Sequence, residues 1–211
     1  MKPHCIILYG NNTHPGSKYA GAFRIATELR NNGYDVNCID MTAFNGFDVS
    51  LRLLLAKLIT EKTLWVGFST TFLPDVFGFP MLKQYESYKR RWQGKDIDKG
   101  ILSFKEFVHS INPNTKLIAG GARYFPLEPY GFHIFKSYSD ETIIDYTKWC
   151  ENKDNADGYT DPIIQGSEYQ DFTSSQICYN ESDIIFSDET LPIEISRGCI
   201  FKCKFCTYNL K

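Results

Sequence analysis

The amino-acid sequence predicts an α/β fold built on a doubly wound parallel β-sheet. Short apolar segments, which are typical of buried strands, alternate with longer segments whose apolar residues recur at helical spacing. Gly and clusters of polar turn residues separate these segments. Strands that alternate with crossover helices pair in parallel with right-handed connections, so the order of the segments indicates the fold class.

Five apolar segments are predicted as strands. Each is short, rich in apolar residues and closed by Gly, Asp or Ser. They lie at 5–10, 34–40, 63–69, 115–121 and 131–137.

Four helices are predicted between or after these strands. Leu51, Leu54, Leu55 and Leu58 show the clearest periodicity, because positions i, i+3, i+4 and i+7 lie on one face of a helix. The remaining helices are indicated by Phe23, Ala26 and Leu29, by Ile101, Phe104, Val108 and Ile111, and by the segment 140–151.

Length and composition exclude several classes of protein. With 211 residues, of which 43% are hydrophobic, the chain can bury one domain core and part of a second. The formal charge of -2 gives no general basic field, so no nucleic-acid partner is indicated. No apolar segment approaches the ~20 residues of a membrane span, and no signal peptide is visible. We therefore expect a cytoplasmic protein with reduced thiols, no membrane partner, and cysteines free to bind metal.

The composition divides the chain into three parts. Residues 1–150 carry the predicted sheet, and residues 151–190 change to Asn, Asp, Ser and Gly, which is typical of a linker. A new strand is predicted at 191–196, immediately before a group of cysteines. Residues 191–211 are therefore predicted to begin a second domain that is incomplete in this chain.

Three of the seven cysteines, Cys199, Cys203 and Cys206, form a C-x3-C-x2-C pattern. Closely spaced thiolates are typical metal ligands, but a structural zinc site requires four ligands and no further Cys or His follows. Three thiolates on a four-iron cluster would leave one iron open to another ligand. A zinc site completed by a distant residue such as Cys178 or His133, or a redox-active thiol group, remains an alternative.

The segment RGCIFKCKFC resembles the cluster motif of radical S-adenosylmethionine enzymes, in which an aromatic residue, here Phe205, precedes the last cysteine. The resemblance implies a 4Fe-4S cluster held by the three cysteines, with S-adenosylmethionine on the fourth iron and its adenine near Phe205. It also implies reductive cleavage of S-adenosylmethionine to a 5'-deoxyadenosyl radical. The electron would come from a donor such as flavodoxin or ferredoxin.

The preceding SRG at 196–198 is similar to the same region in the subgroup with an N-terminal cobalamin (vitamin B12)-binding domain. The resemblance implies a flavodoxin- or Rossmann-like sheet, then the first strand and cluster loop of a β/α barrel. Ligands of such sheets bind at the carboxyl ends of the strands, where the winding direction switches. VGFST and LIAGG resemble the subgroup's Ser-containing turn and paired glycines, which makes Ser69, Thr71, Gly120 and Gly121 candidate cobalamin contacts.

The sequence departs from the subgroup at its cobalt-ligand motif, D-x-H-x-x-G. NTHPG contains His14 but has Asn12 in place of Asp, and Gly16 comes one position early. His14 is therefore either a cobalt ligand or a solvent-exposed loop residue.

The leading hypothesis is the N-terminal portion of a radical S-adenosylmethionine enzyme, with cobalamin-dependent methyl transfer as the implied reaction. The chain is expected to be truncated just after the cluster motif and inactive alone, because the rest of the barrel is needed to enclose a radical. Two alternatives remain. One is a stand-alone cobalamin- or nucleotide-binding module with a metal-binding cysteine tail, and the other is a zinc-stabilised interaction protein. The substrate is unknown.

Overall fold

A computed structural model of the chain describes residues 4–10, 18–44, 47–70, 95–121, 127–152, 158–168, 176–183, 185 and 187–193. These ranges contain six strands, four α-helices and three short 3-10 helices. The strands are β1 (Cys5–Tyr9), β2 (Val36–Asp40), β3 (Trp65–Ser69), β4 (Lys116–Gly120), β5 (His133–Lys136) and β6 (Ile163–Gln165). The α-helices are α1 (Ala20–Asn31), α2 (Val49–Leu58), α3 (Lys95–Ile111) and α4 (Thr142–Glu151). The 3-10 helices are Met41–Ala43, Glu128–Tyr130 and Glu181–Asp183.

The six strands form one sheet in the order β2-β1-β3-β4-β5-β6. Every neighbouring pair of strands is parallel. From β1 the chain moves outward to β2, then returns to β3 on the other side of β1, so the winding direction switches between β1 and β3. The predicted fold class, a doubly wound α/β sheet, is confirmed.

Two hydrophobic clusters cover the two faces of the sheet, because alternate residues of a strand point to opposite faces. In β1, Ile6 and Leu8 belong to the cluster packed against α2 and α3. Cys5 and Ile7 belong to the cluster packed against α1 and α4. All five residues of β1 are buried, as a central parallel strand covered on both faces requires.

The helix periodicities seen in the sequence correspond to buried faces. Leu51 and Leu55 of α2 are fully buried. The helix begins after Asp48, whose side chain accepts a hydrogen bond from the backbone N–H of Leu51 and so caps the first turn. In α3, Ile101 and Phe104 are fully buried against the same face of the sheet.

Strand β6 was not predicted from the sequence. It comprises three residues, pairs with β5 through Ile134↔Ile163 and Phe135↔Ile164, and forms one border of the sheet. Only two of its residues are apolar, so it shows neither a long apolar run nor an alternating pattern. Pairing with β5 is what makes it a strand.

The described residues of 176–193, here called the strap, pack along α1. Near the last turn of α1, the backbone N–H of Cys178 donates to Oγ1 of Thr27 at 2.8 Å. Before its first turn, the backbone N–H of Lys18 donates to the carbonyl of Thr190 at 3.0 Å. Helix α1 starts beyond the carboxyl end of β1. The strap therefore ends at the carboxyl edge of the sheet.

Within the described ranges, no helix combines the length and the apolar composition needed to cross a bilayer.

Candidate ligand-binding edge

The carboxyl ends of β1, β3 and β4 meet at the switch point of the sheet. Ser69, the last residue of β3, is in register with Gly120, the last residue of β4, and Gly121 follows directly. Three of the four predicted cobalamin contacts, Ser69, Gly120 and Gly121, thus lie together at this edge. The fourth, Thr71, lies outside the described residues. In doubly wound sheets this crevice is where ligands bind.

At Gly120, neither the backbone conformation nor packing against the described residues requires a glycine. Its φ is not positive, unlike that of Gly121 at +106°. A Cβ atom on Gly120 would meet its nearest neighbour, Cβ of Phe135, at an ordinary contact distance of 3.6 Å. The absence of a side chain leaves space at the end of β4, as a ligand that approaches the backbone needs.

Gly67 in the middle of β3 shows the opposite situation. A Cβ there would lie 2.7 Å from Cγ1 of Ile118, which is closer than side chains tolerate. Gly67 is therefore explained by packing between β3 and β4. At Gly120, by contrast, the described neighbours leave room for a side chain, and that room is available to a ligand.

Thr70 belongs to this edge and was missed by the sequence analysis. Its backbone N–H and its Oγ1 both donate to the carbonyl oxygen of Gly120, at 2.8 and 2.9 Å. The residue is 1% exposed. The segment FSTT offers three successive hydroxyl residues, and nothing in the sequence indicates which of them bonds across to β4.

The turn after β5 reaches the same edge. Ser137 adopts a positive φ of 64°, which is uncommon for a residue other than glycine, and its Oγ accepts a hydrogen bond of 2.8 Å from Nε2 of Gln165. Asp140 in this turn forms a buried ion pair with Arg24 of α1. These contacts fix the turn to both β6 and α1.

The predicted cluster residues Cys199, Cys203, Cys206 and Phe205 lie outside the described residues. Along the chain, Cys199 follows Ile193, the last described residue of the strap, by six residues.

The described cysteines differ in how readily their thiols could bind a metal ion. Burial raises the pKa of the Cys5 and Cys38 thiols, and burial raises that of Cys150 to about 12. A thiol must lose its proton to bind a metal, so these three are poor ligands. Cys178 is exposed. Among the four described cysteines, Cys178 is therefore the one whose exposure would let a metal reach the thiol.

The described residues contain no group of three or more His, Cys, Asp or Glu side chains that could hold a metal ion. His133, one distant zinc ligand considered from the sequence, begins β5 and lies at the amino edge of the sheet, opposite the end of the strap. Its ring stacks on Trp149, and burial, with a smaller contribution from Lys116, lowers its pKa. His14 lies outside the described residues.

No protein-family model matches the chain, and neither does any curated protein sequence. Among solved structures, it is similar to the radical S-adenosylmethionine methyltransferase TsrM from Kitasatospora setae with cobalamin and a 4Fe-4S cluster bound. That comparison gives a TM-score of 0.47 and 13% identity over 72% of this chain and 27% of TsrM. The TsrM structure with tryptophan substrate and the S-adenosylmethionine analogue aza-SAM gives 0.46 and 12% identity over 70% of this chain and 26% of TsrM. The chain thus spans about a quarter of the length of that protein.

Proposed function

We propose that this chain carries cofactor-binding residues of a radical S-adenosylmethionine enzyme. The observation that carries the proposal is the C-x3-C-x2-C motif with Phe205 directly before its last cysteine. The fold supports it in two ways. The sheet has a glycine-lined edge at its switch point, and the strap ends at that edge shortly before the motif.

Cys199, Cys203 and Cys206 would hold three irons of a 4Fe-4S cluster as thiolates, which leaves the fourth iron for the amino and carboxylate groups of S-adenosylmethionine. Phe205 would contact the adenine. With an electron from a donor such as flavodoxin or ferredoxin, the bound cluster would supply the reductive cleavage of S-adenosylmethionine that begins radical hydrogen abstraction from a substrate.

The carboxyl edge of the sheet is proposed to bind cobalamin. Ser69 and Thr71 would offer hydroxyl groups to the nucleotide tail of the cofactor. Gly120 and Gly121 would let that tail approach the backbone, because neither carries a side chain. Binding here would favour methyl transfer as the reaction of the whole enzyme.

The cluster is tested by anaerobic reconstitution of the full chain with iron and sulfide, followed by measurement of bound iron and of iron–sulfur absorbance. We expect about four irons per chain. Replacing Cys199, Cys203 or Cys206 by Ala should abolish the absorbance. The matched control, Cys178→Ala, should retain it. One zinc per chain without iron–sulfur absorbance would instead support a zinc-stabilised interaction protein.

The cobalamin site is tested by titrating the full chain with hydroxocobalamin and following absorbance and co-elution on gel filtration. We expect stoichiometric binding at micromolar concentration. Gly120→Ala should weaken it, since the fold has room for this Cβ but a ligand at the edge would meet it. Ser110→Ala is the control, because Ser110 is exposed near the end of α3 and bonds only locally, to Phe107. Cluster binding without cobalamin binding would leave a radical enzyme whose sheet serves another role.

A further inference from the structure

We propose that Thr70 is a positioning residue of the cofactor crevice, holding the Gly120–Gly121 turn in the conformation that accepts the ligand. This inference rests on the proposed cobalamin site. It starts from the two hydrogen bonds that Thr70 makes to one oxygen, from its backbone N–H at 2.8 Å and its Oγ1 at 2.9 Å to the carbonyl of Gly120.

Gly120 and Gly121, the described residues where β4 ends and the turn begins, have no side chain that could restrain their backbone. Two consecutive glycines have more backbone freedom than any other pair, and Gly121 adopts φ of +106°. A carbonyl oxygen can accept two hydrogen bonds, and that of Gly120 accepts two from Thr70. Because the peptide unit is planar, fixing the carbonyl of Gly120 also fixes the N–H of Gly121. Thr70 thereby sets the orientation of the peptide at the floor of the crevice.

The same two strands carry a comparable threonine at their opposite ends. Oγ1 of Thr115, just before β4, donates to the carbonyl of Thr63, just before β3, at 3.1 Å. Thr115 and Thr70 are each 1% exposed. Both hydroxyls link the β3 and β4 segments in a buried setting, but the hydroxyl of Thr115 lies at the amino edge, away from the switch point. A Thr115 variant is therefore a matched control. It shows the effect of losing a buried hydroxyl that links the β3 and β4 segments but lies away from the switch point.

The experiment compares Thr70→Val, Thr70→Ser and Thr115→Val in the full chain, each checked for folding by circular dichroism. Hydroxocobalamin titration should show that Thr70→Val weakens binding about tenfold, whereas Thr70→Ser and Thr115→Val bind like the wild type. Hydrogen exchange of the cofactor-free proteins should show faster exchange around Gly121 in Thr70→Val but not in Thr115→Val. Thr70→Ala, which also lacks the hydroxyl, replaces Thr70→Val if the latter does not fold.

The outcomes distinguish failure of the role of Thr70 from failure of the proposed cobalamin site. If the folded wild type binds no cobalamin, the proposed cobalamin site is wrong and the ligand role of Thr70 fails with it. If the wild type binds and Thr70→Val binds equally well, only the role of Thr70 is overturned. If Thr70→Ser binds as poorly as Thr70→Val, the hydroxyl is not the active feature and the inference is again overturned.

Discussion

Arg24 and Asp140 form an ion pair whose side chains are 1% and 2% exposed. Arg24 lies on α1 and Asp140 in the turn before α4, so the pair joins two elements that are far apart in the sequence. Burying two charges costs hydration free energy. The attraction between the charges offsets that cost only while both partners are present. The pair therefore holds the turn after β5 against α1 and depends on both charges.

Replacing Asp140 by Ala should lower the free energy of unfolding by about 3–5 kcal/mol, because the charge of Arg24 stays buried without its carboxylate. The control is Asp145→Ala, whose partner Lys148 is 3.8 Å away and whose pair is largely exposed. That change should cost less than about 1 kcal/mol. Urea unfolding of both variants measures the difference. Equal losses would show that burial of the Arg24–Asp140 pair has no special effect.

His133 should make the folded state sensitive to mild acid. Burial, with a smaller contribution from Lys116, lowers its pKa in the folded protein below the ordinary value of about 6.5. The unfolded chain therefore binds a proton more readily, and stability is lost as the pH falls from about 6.5 through the lowered pKa. Because the ring is only half buried, solvent screening should keep this loss small.

The variant His133→Phe keeps an aromatic ring beside Trp149 and Tyr146 but cannot take up a proton. Its free energy of unfolding should fall less between pH 7.5 and pH 5.5 than that of the wild type. Urea unfolding at the two pH values measures this. The same fall in both proteins would assign the acid sensitivity to other groups.

At the scale of elements, the strap is attached to α1 by both ends and by its centre. Asp183, 0% exposed in its side chain, pairs with both terminal nitrogens of Arg30, one of them at 3.0 Å. The ring of Tyr179 packs on Phe23, and Lys18 pairs with Glu189 at 2.9 Å. These contacts hold the described residues of the strap against the sheet domain.

Replacing Asp183 by Ala should loosen the strap while the sheet stays folded, because the lost contacts lie at its junction with α1. Limited proteolysis followed by mass spectrometry should then show faster cleavage between residues 176 and 193. Asp188→Ala removes an exposed carboxylate of the same strap and should leave cleavage unchanged. If Asp183→Ala is cleaved no faster than Asp188→Ala, the pair with Arg30 does not hold the strap.

At the scale of the whole molecule, the hydrophobic cluster between the sheet and helices α1 and α4 encloses the thiols of Cys5 and Cys38, which are 0% and 6% exposed as residues. Burial raises the pKa of both thiols, so they are inert as well as inaccessible. Their reaction with a reagent therefore requires opening of the core, whereas Cys178 on the strap is exposed in the folded state.

Alkylation with iodoacetamide at pH 8, analysed by peptide mass spectrometry, should modify Cys178 rapidly. Cys5 and Cys38 should react only at the rate at which the domain opens, and urea below the unfolding midpoint should accelerate them together. Fast modification of Cys5 in the folded protein would contradict the position of β1 between β2 and β3, covered on both faces.

Much of the fold could be predicted because it depends on local patterns. Leu51 and Leu55 repeat at helical spacing, and the helix they form is buried along that face. The predicted strands around Ile6, Val66 and Ile118 are nearly continuous apolar segments, as strands covered on both faces must be. Strand β6 and the contacts of the strap have no such pattern, since each depends on a partner more than twenty residues away.

The sequence by itself determined the doubly wound α/β class and the grouping of three cysteines with an aromatic residue directly before the last, because periodicity and spacing are properties of the chain. Only the tertiary structure decided that Ser69 is in register with Gly120, that a Cβ would fit beside the described neighbours of Gly120 but not beside those of Gly67, and that Thr70 bonds the end of β4. The physical reason is that hydrogen bonding and close packing between strands follow from register, and register is set when distant segments are brought together.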